Sequence, residues 1–198
     1  FPDGAINLLS GDPAKVSEQL ISSDIVKKVS ITGSTRVGKI VLKQAAEKVQ
    51  RVTMELSGHA PFIVYEDANI EKAVDTAMAA KYRNNGQVCI SPSRFFIHEK
   101  VKPKFQDLFV KKTLKLKMGD AFSNPDLGPI TTEKRLNDVE KLSDLTVKEG
   151  AELLCGGKRA SNFNKGYYFE PTIFDKVKDS HTIMTEEPFS PLSPILSF

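Results

Sequence analysis

The apolar residues of this chain change period again and again. Short runs that fit strands alternate with stretches in which apolar residues recur every three or four positions, as on one face of a helix. That alternation confines the chain to an α/β fold with strands and helices interleaved. Residues 29–32 form one apolar run, ended by Gly33. From Ser34 the spacing becomes helical, with Val37, Ile40, Val41, Ala45 and Val49 on one face and Ser34 or Thr35 available as the cap. Residues 52–56 read as a strand broken by Ser57-Gly58, and residues 61–65 as the next. A helix opening at Asp67 or Asn69 carries Ile70, Ala73, Val74, Ala77 and Ala80, and Asn84-Asn85-Gly86 breaks it. Residues 94–98 read as a strand, and Val101, Phe105, Leu108, Phe109 and Lys112 follow helical spacing. A turn-rich loop over 118–129 leads to a helix marked by Leu136, Val139 and Leu142, then to a strand over 151–154. Residues 166–198 read as strand and loop with many prolines. Near the start, residues 5–9 form another short apolar run, ended by a turn at Gly11-Asp12-Pro13.

Composition removes several functional classes. The 198 residues include 28 basic and 25 acidic side chains, a net charge of +3, which is too even to argue for nucleic acid or an anionic membrane as partner. No apolar run approaches the ~20 residues of a membrane helix. Two cysteines in a chain of this length do not make a disulfide framework, so a reducing, cytoplasmic setting is expected. The histidines at 59, 98 and 181 have no metal-ligand spacing, and no metal is expected. The chain opens on Phe1-Pro2 without an initiator methionine and closes on a strand-like Pro194-Ile195-Leu196-Ser197-Phe198, so a segment of a longer protein is expected.

Three places carry chemistry. Cys89 follows Asn84-Asn85-Gly86-Gln87-Val88 and precedes Ile90-Ser91-Pro92, with turn residues on one side and proline on the other to fix its backbone. By itself it reads either as a nucleophile, which needs thiolate character and access, or as a small buried hydrophobe. Cys155 has only the second reading. Glu55 ends an apolar run, between Met54 and Leu56. Desolvation there would suit it to take a proton from water, and the competing reading is a surface carboxylate on a sheet edge. Gly33-Ser34-Thr35-Arg36-Val37-Gly38-Lys39 follows a strand and opens a helix, where free N–H groups favour phosphate. The spacing of Gly33, Gly38 and Lys39 imitates a triphosphatase loop, but Ile40 stands where that loop needs a hydroxyl for magnesium, so that reading is rejected.

Taken in order, these motifs resemble the NAD(P)-dependent aldehyde dehydrogenase superfamily. The resemblance rests on Gly33-Ser34-Thr35-Arg36-Val37-Gly38-Lys39, Glu55-Leu56-Ser57-Gly58, Gly86-Gln87-Val88-Cys89, Leu127-Gly128-Pro129, Gly166-Tyr167-Tyr168-Phe169-Glu170-Pro171-Thr172 and Glu186-Glu187-Pro188-Phe189. It covers essentially the whole chain. Gly58-His59-Ala60-Pro61-Phe62-Ile63-Val64 and the prolines at 188, 191 and 194 look most like succinate-semialdehyde dehydrogenases. The resemblance implies the end of a Rossmann-like cofactor domain over 1–57 and most of the α/β catalytic domain over 58–198. It implies oxidation of an aldehyde, such as a semialdehyde, with NAD or NADP as cofactor. Cys89 would form a thiohemiacetal and then a thioester, and Glu55 would activate the hydrolysing water. Thr32, Gly33, Ser34, Val37 and Gly38 would lie along the dinucleotide, Leu56 and Ser57 near the nicotinamide, and Glu187 and Phe189 at its ribose. The expected partners are a small-molecule aldehyde and, at full length, further copies in a homo-oligomer. Ser57 and Ser190 depart from the family, which has glycine at both places. Two alternatives stand beside the enzyme: a truncated remnant or folding module without activity, and a cofactor-free thiol hydrolase. These 198 residues alone are expected to be feeble as a dehydrogenase.

Overall fold

The structure, a computed structural model, describes residues 1–198 and divides into two compact units, Phe1–Ser57 and Gly58–Phe198. In the first, α1 (Pro13–Ser22) precedes β1 (Lys28–Thr32), α2 (Thr35–Ala46) and β2 (Arg51–Glu55). β1 and β2 are parallel, with Thr32 opposite Glu55. Their side chains alternate: Val29, Ile31, Val52 and Met54 pack on a small core of Ile21, Val41 and Ala45, while Lys28, Ser30, Arg51 and Thr53 are exposed. Gln50 ties the unit together by donating to the carbonyls of Ile21 (3.0 Å) and Val26 (2.8 Å).

Two expectations fail in this unit. Residues 5–9 form no strand, and Ile6, Leu8 and Leu9 are exposed. The supposed turn at Gly11-Asp12-Pro13 is the start of α1: the Asp12 carboxylate accepts from the N–H groups of Ala14 and Lys15, and Pro13 fills the first helical position. The apolar stripe of α2 is also narrower than its spacing suggests. Gly38, Val41 and Ala45 are buried, Ile40 is exposed, and Val49 lies past the helix end at a φ of 51°.

The second unit is a five-stranded sheet in the order β3-β4-β7-β6-β5. It contains β3 (Ala60–Val64), α3 (Ile70–Tyr82), β4 (Pro92–Ile97), α4 (Lys102–Thr113), α5 (Glu133–Lys148), β5 (Glu152–Cys155), β6 (Thr172–Asp175) and β7 (Leu192–Ser197). All neighbours are parallel except β5 and β6. Successive residues of the central strands point to opposite faces, and each face has its own core. Phe95, Ile97, Ile173 and Ile195 pack with Val74, Ala77, Phe105 and Phe109 of α3 and α4. Phe174, Leu192 and Leu196 pack with Leu136 and Val139 of α5 on the other side. Burial on both faces is what a parallel sheet requires, and the residues of β7 from Leu192 to Leu196 are all buried. No helix is long and apolar enough to cross a membrane.

Candidate functional site

In the first unit the motif residues gather at the carboxyl ends of β1 and β2. The Gly33 N–H donates to the Glu55 carbonyl (3.0 Å), which joins the two strand ends. Ser34 caps α2 by accepting from Val37 N–H (3.3 Å), so the helix begins at the strand end. Thr32, Gly33 and Ser34 are exposed, and a Cβ on Gly33 would meet nothing within 4 Å. This is an open helix N-terminus of the kind that receives phosphate. Gly38 has a different environment: it is buried, and a Cβ there would lie 2.7 Å from Leu56 Cδ2. Its missing side chain lets α2 close on the segment after β2. Glu55 is exposed while Met54 turns into the core, so the burial expected of Glu55 is not found. Ser57 is exposed and does not have a positive φ, so its backbone makes no demand for glycine.

In the second unit, the segments leading into β3, β4 and β7 reach the same end of the sheet, because Ala60 is opposite Pro92 and Phe95 opposite Ile195. Cys89 lies on the segment entering β4. After α3 the chain makes three consecutive left-handed steps, with φ of 49° at Asn84, 59° at Asn85 and 71° at Gly86. Asparagine tolerates that region better than most residues, and at Gly86 a Cβ would also run into the Ser190 carbonyl oxygen. Gln87 locks the result. Its amide nitrogen donates to Asn84 O (3.2 Å) and Pro129 O (3.4 Å), and its amide oxygen accepts from Thr131 N–H (3.0 Å). Asn85 donates to Gly128 O (3.0 Å). The Gly128-Pro129 motif is thus a brace for the turn that ends at Cys89. The Cys89 side chain is exposed, and none of the backbone hydrogen bonds takes up its N–H. Cys155 is the opposite case: it is buried, and burial pushes its thiol up to about 11.

Glu187 and Phe189 sit on the segment entering β7. Phe189 has a φ of 38°, in the left-handed region. Arg135 donates to the Pro188 carbonyl, and its guanidinium lies 6.0 Å from the centre of the Phe189 ring. Ser190 is fully buried and has no positive φ, so the residue in this turn that carries the unusual backbone is Phe189. Cys89 and this turn are brought together through the close approach of Gly86 to Ser190.

Near the Cys89 turn, Lys81 and Arg83 are absent from the sequence-based reading, and His59 enters it without a role. Lys81 is 1% exposed at the end of α3, and burial pushes its ammonium down to about 7 against the opposing pull of Glu187. His59 is fixed at both nitrogens, Nδ1 to Ser93 Oγ at 2.6 Å and Nε2 to the Ile183 carbonyl at 3.1 Å. The carbonyl makes Nε2 the protonated nitrogen, and burial lowers the pKa, so the ring is held neutral. Arg83 lines a shallow cleft of about 570 Å³ with Lys72, Thr76, Val88 and Ile90, on the α3 side of the cysteine turn. The helical spacing of 70–80 puts Lys81 at a helix end without showing that its side chain is buried.

The aldehyde dehydrogenase family model matches residues 1–198. A probable succinate-semialdehyde dehydrogenase [NADP(+)] of Sinorhizobium fredii is 38% identical over 200 residues, which is 100% of this chain and 40% of that protein. The chain thus spans about 40% of the length of the curated relatives it matches. The crystal structure of succinate-semialdehyde dehydrogenase from Burkholderia pseudomallei superposes with a TM-score of 0.92 at 41% identity, covering 96% of this chain and 39% of that one. Betaine aldehyde dehydrogenase from Staphylococcus aureus in complex with NAD+ superposes with a TM-score of 0.94 at 34% identity, covering 100% of this chain and 40% of that one.

Proposed function

The chain belongs to the aldehyde dehydrogenase family, and from that premise we propose that it carries the nucleophile, the base and part of the dinucleotide site of an aldehyde oxidation. Residues 1–57 are then the end of the cofactor domain and 58–198 most of the catalytic domain. The observation that carries the reading is Cys89: an exposed thiol on a turn braced by Gln87, with its own N–H free. Its Sγ adds to the aldehyde carbonyl, giving a thiohemiacetal whose oxyanion the Cys89 N–H receives. Loss of hydride leaves a thioester on the same sulfur. Glu55, exposed at the end of β2, takes a proton from the water that hydrolyses it.

The residues present fit a dinucleotide. Thr32, Gly33 and Ser34 offer an open helix start, Val37 half-buried apolar surface, and Glu187 a carboxylate with no ion-pair partner. Gly38 holds α2 against Leu56; Leu56 and Ser57 would lie near the nicotinamide and Phe189 beside its ribose. NAD or NADP supplies one chemistry here, acceptance of a hydride. The substrate we favour is a semialdehyde that bears a carboxylate. The similarity to succinate-semialdehyde dehydrogenases supports it.

The test is mass spectrometry of the Cys89 peptide after mixing protein, NAD(P)+ and succinate semialdehyde. Glu55→Gln should accumulate the succinyl adduct on Cys89, and Cys89→Ala should show neither adduct nor NAD(P)H. Turnover persisting in Cys89→Ala, or an adduct on another residue, would sink the mechanism. Absence of both cofactor binding and adduct in the parent protein would favour the inactive module.

A further inference from the structure

Phe189 holds a left-handed φ of 38° without being glycine. Such a conformation costs about 1–3 kcal/mol and persists only where the surroundings over-determine it. Two anchors from distant parts of the sequence meet this turn. On one side Gly86 lies against the Ser190 carbonyl, so the turn is backed by the cysteine loop. On the other side stands Arg135. Its backbone N–H is fixed by the Thr132 cap of α5 (3.2 Å), so the side chain leaves from a rigid helix start. One guanidinium nitrogen donates to Pro188 O and the plane lies near the Phe189 ring. The Nε of the same group is buried with no partner. A half-buried guanidinium with an orphaned donor is a poor device for stability alone. What it delivers is geometry, because a planar fork can grip a carbonyl and stack on a ring at once, which an ammonium cannot.

We propose that Arg135 is a positioning residue that clamps the turn over 187–190 between α5 and the Cys89 loop, and so fixes the direction in which Glu187 presents its carboxylate. The link to cofactor affinity rests on the reading of Glu187 as a ribose-binding residue given above. Asp138 and Lys81 are the other charges that bear on this pair: Asp138 acts on Arg135, and Lys81 faces Glu187 from α3. Neither grips the turn backbone.

The experiment compares Arg135→Met, Arg135→Lys and Glu187→Gln. Hydrogen exchange of the peptide covering 186–191 is read without cofactor, NADP+ affinity is read by calorimetry, and Cys89 is alkylated with iodoacetamide as a control for the neighbouring loop. In Arg135→Met, exchange over 186–191 should rise about tenfold while the peptide of α5 stays protected. NADP+ should bind about tenfold more weakly in that variant. Arg135→Lys keeps the charge but not the planar fork, so its exchange and affinity should stay close to those of Arg135→Met. Unchanged exchange over 186–191 in both variants overturns the proposal. So does exchange that rises equally along α5 in both, because that is plain destabilisation. If Glu187→Gln binds NADP+ like the parent while Arg135→Met still loosens the turn, the clamp stands and the ribose assignment falls.

Discussion

Lys81 carries an ammonium into a place almost without water. The α3 backbone continues regularly through it, and its side chain is 1% exposed. Burial lowers its pKa from 10.5 to about 7, and the Glu187 carboxylate limits the fall. The sign of the effect on stability follows from proton counts. Between pH 7 and the ordinary lysine range the unfolded chain holds a proton that the folded chain has lost, so stability rises with pH across that window. Below pH 7 the full cost of the buried charge is present. Each tenfold loss of proton affinity on folding corresponds to about 1.4 kcal/mol. Urea denaturation at a series of pH values should therefore show the parent gaining stability from neutral to alkaline pH. Lys81→Met should be more stable at neutral pH and lack that rise. Parallel profiles for the two proteins would show that the ammonium is solvated after all.

At the scale of elements, α1 depends on one side chain. Asp12 accepts from Ala14 N–H at 2.9 Å and Lys15 N–H at 3.1 Å, satisfying donors that would otherwise face water unpaired. Asp12→Ala should cost about 1 kcal/mol, read as faster amide exchange in α1 with α4 and α5 unaffected. An unchanged α1 would mean that Pro13 alone starts the helix. The same helix shows where sequence reading stops. Gly11-Asp12-Pro13 fits a turn and a helix start equally well, and α1 buries only Ile21, so no core face marks the helix. By contrast, α2, α3 and the strands from β1 to β4 are legible because their apolar spacing is set by a single buried face or by burial on both. Cys89 and Glu55 are singled out by motif order alone, and their roles belong to the proposal above. What Gly128, Thr131 and Arg135 brace is not legible, since each contact joins a side chain to a main-chain atom 40 or more positions away, and the Gly128-Pro129 motif does not say what it supports. Ile40 is the reverse error: apolar spacing assigns it to the core, and the two-stranded sheet is too narrow to cover it.

The two units differ in how much they bury. The first has three buried apolar side chains and a sheet of two strands, an arrangement that is marginal by itself. The second has clusters of 13 and 11 buried residues on the two faces of five strands. Amides of β1 and β2 should therefore exchange orders of magnitude faster than those of β4 and β7 in this chain. Equal protection would mean that the first unit draws stability from something other than its own core. The brace around Cys89 has a consequence for synthesis as well. Residues 84–89 leave the ribosome before their supports do, because their shape depends on carbonyls and amides at 128–131 and on Ser190. Until those positions emerge, the thiol rides on an unformed tether. Its reactivity is a property the nascent polypeptide acquires late, when translation has passed residue 190.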